Sequence, residues 1–315
     1  MKDGVDRVLR ASRTKGAELR NTAATKGGEL GRTAATKGSE LGRTAAAKGS
    51  EVGRTAATMG ADIGRAVKQL DVPWARCGVA RMLRETILQF GLVPVLRLYT
   101  RLRVYGRERF EQIPPPVVFV ANHSSHLDTP TILRALPRKW RQRTAVAAAA
   151  DYFYKKRVVA QVVSLIFNTV PIMRRGGGGG NSTEHVDRLI DQRWNVLMYP
   201  EGTRSRDGRL GKLRSGAAVI ARRHGTAIVP IVVKGTHDAM PPGCNWPKRS
   251  KSRFASRRHR LEVRFGPPIW PGEDEDLTEV MDRVRAVLAG EAADSRVLAR
   301  PETTAPERPP LAPAA

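Results

Sequence analysis

Residues 117–128 read VVFVANHSSHLD, and the seam in the middle of that stretch decides the fold. Five apolar residues, three of them β-branched, make a run the length of a buried strand, and it ends abruptly in polar, chemically capable side chains. Similar runs recur downstream: TVPIM at 169–173, WNVLMY at 194–199, AIVPIVV at 227–233 and LEVRF at 261–265. Helix-compatible segments separate them. That alternation is expected of strands covered by helices, so 69–290 reads as one α/β domain. A last helix is predicted over 277–289, where Leu277, Val280, Met281, Val284, Val287 and Leu288 recur at helical spacing behind the acidic run 273–276, which suits a helix start.

The polar side of the seam carries the chemistry. Histidine is the side chain best suited to general-base work near neutral pH, and a carboxylate that fixes its tautomer and orientation raises its basicity. His123 and Asp128 are the natural pair. Five residues apart on a regular helix they would point ~140° apart, so the pairing requires a loop or a helix start, which a position just after a strand supplies. A second cluster, YPEGTRS at 199–205, again follows an apolar run; Pro200 and Gly202 force a turn from which Glu201 and Arg204 project. Arg204, with Arg174 and Arg175 after 169–173, can hold a phosphate bidentately. His126 reads as a loop or packing residue, and His185, His224, His237 and His259 carry no paired signal. The glycine run 176–180 misses G-x-G-x-x-G at Asn181 and lacks a Gly-Lys-Ser/Thr ending, so it reads as a flexible loop near the phosphate site. Two cysteines, Cys77 and Cys244, without Cys-x-x-Cys or His-Glu-x-x-His, predict no metal and no redox centre.

The blocks NHSSHLD, YPEGTRS and AIVPIVVKGTHDAMPPG resemble those of the glycerolipid acyltransferase family, specifically the 1-acylglycerol-3-phosphate acyltransferases, in the family's order and at its spacing over about residues 100–270. The resemblance implies a central mixed sheet covered by helices. It implies that His123 is the general base with Asp128 as its partner, that Arg174 from VPIMR contacts the acceptor phosphate, and that Glu201, Gly202, Thr203 and Arg204 bind the acceptor. Pro230 falls in the fourth block. Tyr199 stands where Phe is usual, Asn168 where a Gly is frequent, and Leu213-Arg214-Ser215-Gly216 fills an F-K-x-G element, which makes Arg214 a further phosphate contact. The implied reaction is direct acyl transfer from acyl-CoA or acyl-carrier protein to the free hydroxyl of a lysophosphatidate, with no cofactor. Consistently, the chain holds no G-x-S-x-G nucleophile elbow.

Outward from the domain, the chain has 315 residues, 41% hydrophobic and 27% charged, enough for one core plus appendages. Residues 14–57 repeat with period eleven (TKGAELRNTAA, TKGGELGRTAA, TKGSELGRTAA, AKGSEVGRTAA), and a degraded fifth copy runs to Lys68. Eleven residues close three helical turns, so Leu19, Leu30, Leu41, Val52 and Ile63 align on one face of small residues. Two glycines per repeat make such a helix marginal in water. The segment 1–68 is therefore read either as a basic helix ordered at an anionic membrane surface or as a solvated extension. Residues 291–315, rich in Pro and Ala, read as a disordered tail.

Net charge is +25, of which 1–68 supplies +7 with 14 Lys/Arg against seven Asp/Glu. The densest basic cluster is KRSKSRFASRRHR at 248–260, either a solvated loop or a contact for anionic headgroups. Nucleic acid is not the expected partner, since no finger, RNP or zipper pattern accompanies the charge. The apolar stretch 82–99 is broken by Arg84, Glu85, Gln89, Pro94 and Arg97, too polar to span a bilayer, and reads either as a core helix pair or, the favoured reading, as an element that dips into a membrane. The first residues lack the apolar core of a secretory signal, so the expected location is the cytoplasmic face of a membrane, peripheral or monotopic. Two rival readings stay open: another lysophospholipid or glycolipid acceptor, and a non-catalytic lipid-surface binding protein.

Overall fold

The structure is a computed structural model, and it describes residues 72–149, 157–172, 184–244, 246–250 and 257–290. The repeats at 14–68, the tail at 291–315, Arg174, Arg175, the glycine run at 176–180 and the middle of the basic cluster at 251–256 lie outside the described residues.

Seven strands form one sheet: β1 (Thr100–Tyr105), β2 (Val118–Ala121), β3 (Thr144–Ala149), β4 (Thr169–Ile172), β5 (Asn195–Met198), β6 (Ile228–Lys234) and β7 (His259–Phe265). Their spatial order is β1-β7-β6-β2-β5-β3-β4. Every neighbouring pair is parallel except β6 and β7, so the sheet is mixed, as expected. β2 lies at the centre, with Val118 opposite Val196 of β5 on one side and Ile228 of β6 on the other. From β2 the chain leaves toward β3 and β4, and after β5 it crosses to β6 on the far side of β2. Such a reversal opens a crevice at the carboxyl ends of the central strands.

The helices named here are α1 (Gly78–Thr86), α2 (Val93–Tyr99), α3 (Asp128–Ala135), α4 (Arg138–Arg141), α5 (Arg157–Phe167), α6 (Glu184–Asp191), α7 (Gly216–Arg223), α8 (Thr236–Ala239) and α9 (Leu277–Ala289). β2 is buried on both faces. Val118 and Val120 join Leu189 and Ile190 of α6, Ile220 of α7 and Val280 and Val284 of α9. Phe119 and Ala121 join Ile132 and Leu133 of α3 and Trp140 of α4. A strand covered on both faces has no solvent side to mark with polar residues, which is why 117–121 is continuously apolar. Asp276 caps α9 by accepting the Thr278 N–H at 2.8 Å, and Gly290 ends that helix in a left-handed conformation.

α1 and α2 are joined by a π-helical stretch, Ile87–Leu92, so that 78–99 is one helical run. Pro94 has no N–H to give the preceding turn, and a shifted register there accommodates it. Ala80, Arg84, Leu88, Val93 and Leu96 face the domain. Val79, Met82 and Phe90, 74%, 70% and 81% exposed, face away from it. No described helix is long and apolar enough to cross a membrane.

Candidate active site

The sequence cluster after β2 becomes a tight loop that closes on the first residue of α3. Asp128 is that residue and is fully buried. Its Oδ2 accepts three hydrogen bonds, from the backbone N–H of Ser124 at 2.7 Å, the backbone N–H of Ser125 at 2.8 Å and His123 Nδ1 at 2.8 Å. A carboxylate only accepts, so the Nδ1 position carries the hydrogen, and in the neutral tautomer that this bond selects Nε2 keeps its lone pair. The ring remains reachable, with 19% of the His123 side chain exposed. The helix start that the five-residue spacing requires is therefore present.

The second cluster holds the first in place. Glu201 Oε1 accepts the His123 N–H at 2.8 Å, and the His123 carbonyl accepts the Ser205 N–H at 2.7 Å. The other oxygen of Glu201 accepts the Gly211 N–H at 2.8 Å, so one carboxylate ties the histidine to the far end of the following loop. A Cβ on Gly211 would sit 3.1 Å from that oxygen. Gly202 has φ of +72°, and a Cβ there would meet the Arg214 guanidinium at 3.3 Å, so glycine both permits the turn and leaves room for the arginine. Glu201, Thr203 and Arg214 line a cavity of about 430 Å³ together with Arg206, Arg209 and Lys212. Arg204 lies half-buried beside His126, whose imidazole is pushed down to about 4 by burial, by the charge of Arg204 and by His123.

Three contributions were not visible from sequence reasoning. The Tyr199 ring stacks on His123, centroids 4.1 Å apart and planes 21° apart, while its hydroxyl meets Thr129 Oγ1 at 2.7 Å. Desolvation of its hydroxyl raises the half-buried Tyr199 phenol, with the nearby Asp128 charge adding to it. Asn122 bridges to β6, donating to the Val233 carbonyl at 2.9 Å and accepting the Val233 N–H at 2.8 Å. Asn168 sits at φ of +53°, a left-handed conformation that asparagine tolerates and glycine enters freely. A stacking aromatic announces itself only as the residue before P-E-G, and Asn122 only as the polar residue that ends an apolar strand.

Residues 101–234 match the family model described as Acyltransferase. They form an acyltransferase-family domain. His123, Asp128 and Glu201 through Arg214 all fall inside the acyltransferase match. The chain is 30% identical over 147 residues to the chloroplastic 1-acyl-sn-glycerol-3-phosphate acyltransferase LPAT1 of Arabidopsis thaliana, which covers 46% of this chain and 39% of that protein. It is 30% identical over 217 residues to 1-acyl-sn-glycerol-3-phosphate acyltransferase alpha of Bos taurus, covering 63% of this chain and 66% of the relative. The match thus spans about two fifths of the length of the chloroplastic relatives from Arabidopsis thaliana and Brassica napus. The crystal structure of the 1-acyl-sn-glycerophosphate (LPA) acyltransferase PlsC from Thermotoga maritima superposes with a TM-score of 0.48 at 22% identity, covering 68% of this chain and 82% of that one.

Proposed function

We propose that this protein transfers an acyl group from an acyl thioester to the free hydroxyl of 1-acyl-glycerol-3-phosphate, forming phosphatidic acid. The observation that carries the reading is the His123–Asp128 pair, Nδ1 to Oδ2 at 2.8 Å, set beside a basic loop in an acyltransferase-family domain. In this reading His123 Nε2 takes the proton of the acceptor hydroxyl as its oxygen attacks the thioester carbonyl. The tetrahedral intermediate collapses with the carbon–sulfur bond breaking, and the imidazolium returns its proton to the leaving thiolate. Asp128 stabilises the imidazolium in between. Arg204 and Arg214, with Arg174 from outside the described residues, bind the acceptor phosphate, and Glu201, Gly202 and Thr203 shape the turn that presents them. A phosphate monoester takes two bidentate arginines well, which suits this pairing.

The acceptor lives in a bilayer, and we assign the surface contact to the outward face of 72–99. Trp74, Val79, Met82, Leu83 and Phe90 are all exposed there, a larger apolar surface than a water-facing helix carries. Trp246, 59% exposed, and Leu98 add to it, with Tyr99 hydrogen-bonded to the indole at 3.1 Å. Basic residues at 248–250 and 257–260 follow Trp246 in sequence and favour an anionic surface. The eleven-residue repeats, on their amphipathic pattern, add to the same attachment by becoming helical on it.

The test is product analysis. Purified protein is given a long-chain acyl-CoA and a panel of lysophospholipids in mixed micelles, and phosphatidic acid from lysophosphatidate is the expected main product. Transfer only to a different lysolipid would replace the acceptor, and transfer to none of them with either CoA or carrier-protein donors would overturn the reading.

A further inference from the structure

The sheet ends on β1, and among the described residues β1 is paired on one side only, with β7. Its sequence, TRLRVY, alternates, so Arg101, Arg103 and Tyr105 stand on one face of the sheet and Leu102 and Val104 on the other. The register sets Arg101 beside Arg260, Arg103 beside Glu262 and Tyr105 beside Arg264 of β7. Arg101, Arg103 and Arg260 are exposed. The helices α6, α7 and α9, which bury this face of the sheet over β2 and β6, stop short of the edge. Their cluster takes in Val232 of β6, which lies beside Arg264, and no side chain of β1 or β7.

Four arginines and one carboxylate occupy this face of the two edge strands. Glu262 is taken by Arg264, Nη2 to Oε1 at 3.0 Å, and the Arg264 guanidinium also lies over the Tyr105 ring, 5.2 Å from its centroid. Among the described residues, Arg101, Arg103 and Arg260 make no ion pair and no side-chain hydrogen bond. The apolar side of β1 is unfinished as well. Leu102 and Val104 pack on the core that α3 and α4 cover yet remain half-buried, whereas their register partners Leu261 and Val263 are 2% and 0% exposed. A sheet edge with unpaired backbone groups is a template for one more strand. Cations on one face and half-covered aliphatics on the other define what that strand carries: carboxylates at alternate positions, with apolar side chains between them.

We propose that β1 is the docking edge for an extended acidic segment of a partner protein, one that alternates carboxylate and apolar side chains and adds to the sheet as a further strand. Its carboxylates meet Arg101 and Arg103, with Arg260 behind them, and its apolar side chains close over Leu102 and Val104. An anionic bilayer is the poorer fit. α2 packs over Leu102 and Leu261, so the exposed apolar residues of 78–99 and the arginine face lie on opposite sides of the sheet. The inference stands independently of the acyl-transfer reading.

The probe is a fluorescein-labelled peptide of alternating Glu and Val, about ten residues long, titrated into the full chain and followed by anisotropy. The full chain should bind it, and the outward-pointing amides of β1 should exchange hydrogen about tenfold more slowly in the complex. Arg101→Glu with Arg103→Glu, matched to the wild type by circular dichroism, should bind the peptide about tenfold more weakly. Arg138→Glu with Lys139→Glu makes an equal charge change at exposed positions of α4 and should weaken binding less than about threefold. A peptide of the same composition with its Glu and Val in two blocks should bind the wild type about tenfold more weakly than the alternating one. No binding by the full chain, an equal loss in the α4 variant, equal binding of the block peptide or unchanged exchange in β1 would each overturn the proposal, and the last two need no variant. A β1 variant that keeps the peptide but no longer sediments with phosphatidylglycerol vesicles would assign the face to the membrane and overturn it too.

Discussion

The His123 ring is steered from three directions: Asp128 fixes Nδ1, Tyr199 fixes the plane, and Glu201 and Ser205 fix the backbone. Tyr199→Phe keeps the stack and loses only the Thr129 hydrogen bond, so thermal unfolding should report a loss of about 1 kcal/mol with acyl transfer within about threefold of wild type. Tyr199→Ala removes the stack and should lower kcat/KM at least tenfold at unchanged substrate concentration ranges. Gly202→Ala puts a Cβ against Arg214 at a positive φ, and kinetics should show it as a raised lysophosphatidate KM. His126 supplies a pH prediction. Its folded-state value is about 4 against an ordinary 6.5, so as pH falls through 6.5 the unfolded chain takes up a proton that the folded chain refuses. Its contribution to stability is thus fully present above 6.5 and is lost between 6.5 and 4. Melting temperature followed over that window should fall less steeply in His126→Gln than in wild type, and parallel curves would show that the burial of this imidazole has no such consequence.

Among the elements, α1 shows how a charge can anchor an otherwise apolar attachment. Arg84 is 5% exposed and donates to the carbonyls of Leu165 at 2.7 Å, Ala75 at 2.6 Å and Ser164 at 3.4 Å. Burial and the nearby Arg76 and Arg81 bring its guanidinium down to about 10. Next to it Glu85 accepts from Nε and Nη2 of Arg141. Arg84→Ala leaves buried carbonyls without donors and should destabilise the protein by about 2 kcal/mol, read by denaturant unfolding. In the sequence Arg84 and Glu85 register only as interruptions of an apolar stretch, because nothing local says that their partners lie some 80 and 56 residues away. β5, β6, β7 and α9 were legible because their apolar periodicity matches their burial. β3, TAVAAA, is written in alanine, a helix former, and becomes a strand because β4 and β5 flank it. β1 alternates Arg101 and Arg103 with Leu102 and Val104, a signal masked by the apolar run before it. The His123–Asp128 pair was legible from residue type and spacing. The use of Glu201 to bind backbone amides was not, since a carboxylate's acceptors and donors are chosen by tertiary structure.

At the scale of the whole molecule, the membrane attachment proposed above rests on a net charge of +25 and on exposed apolar side chains along 78–99. Met82→Glu with Phe90→Glu should abolish sedimentation with phosphatidylglycerol vesicles while leaving the melting temperature within a few degrees, since both side chains are outside the core. Removing 1–68 takes away +7 and should weaken vesicle binding more at low salt than at high. Binding unchanged by either alteration would move the attachment elsewhere. The proposed reaction depends above all on the base. Its most direct test is acyl transfer from labelled long-chain acyl-CoA to lysophosphatidate in detergent micelles, comparing wild type with a folded His123→Ala variant. In the variant kcat should fall about 10²–10⁴-fold. Undiminished transfer by His123→Ala would contradict it.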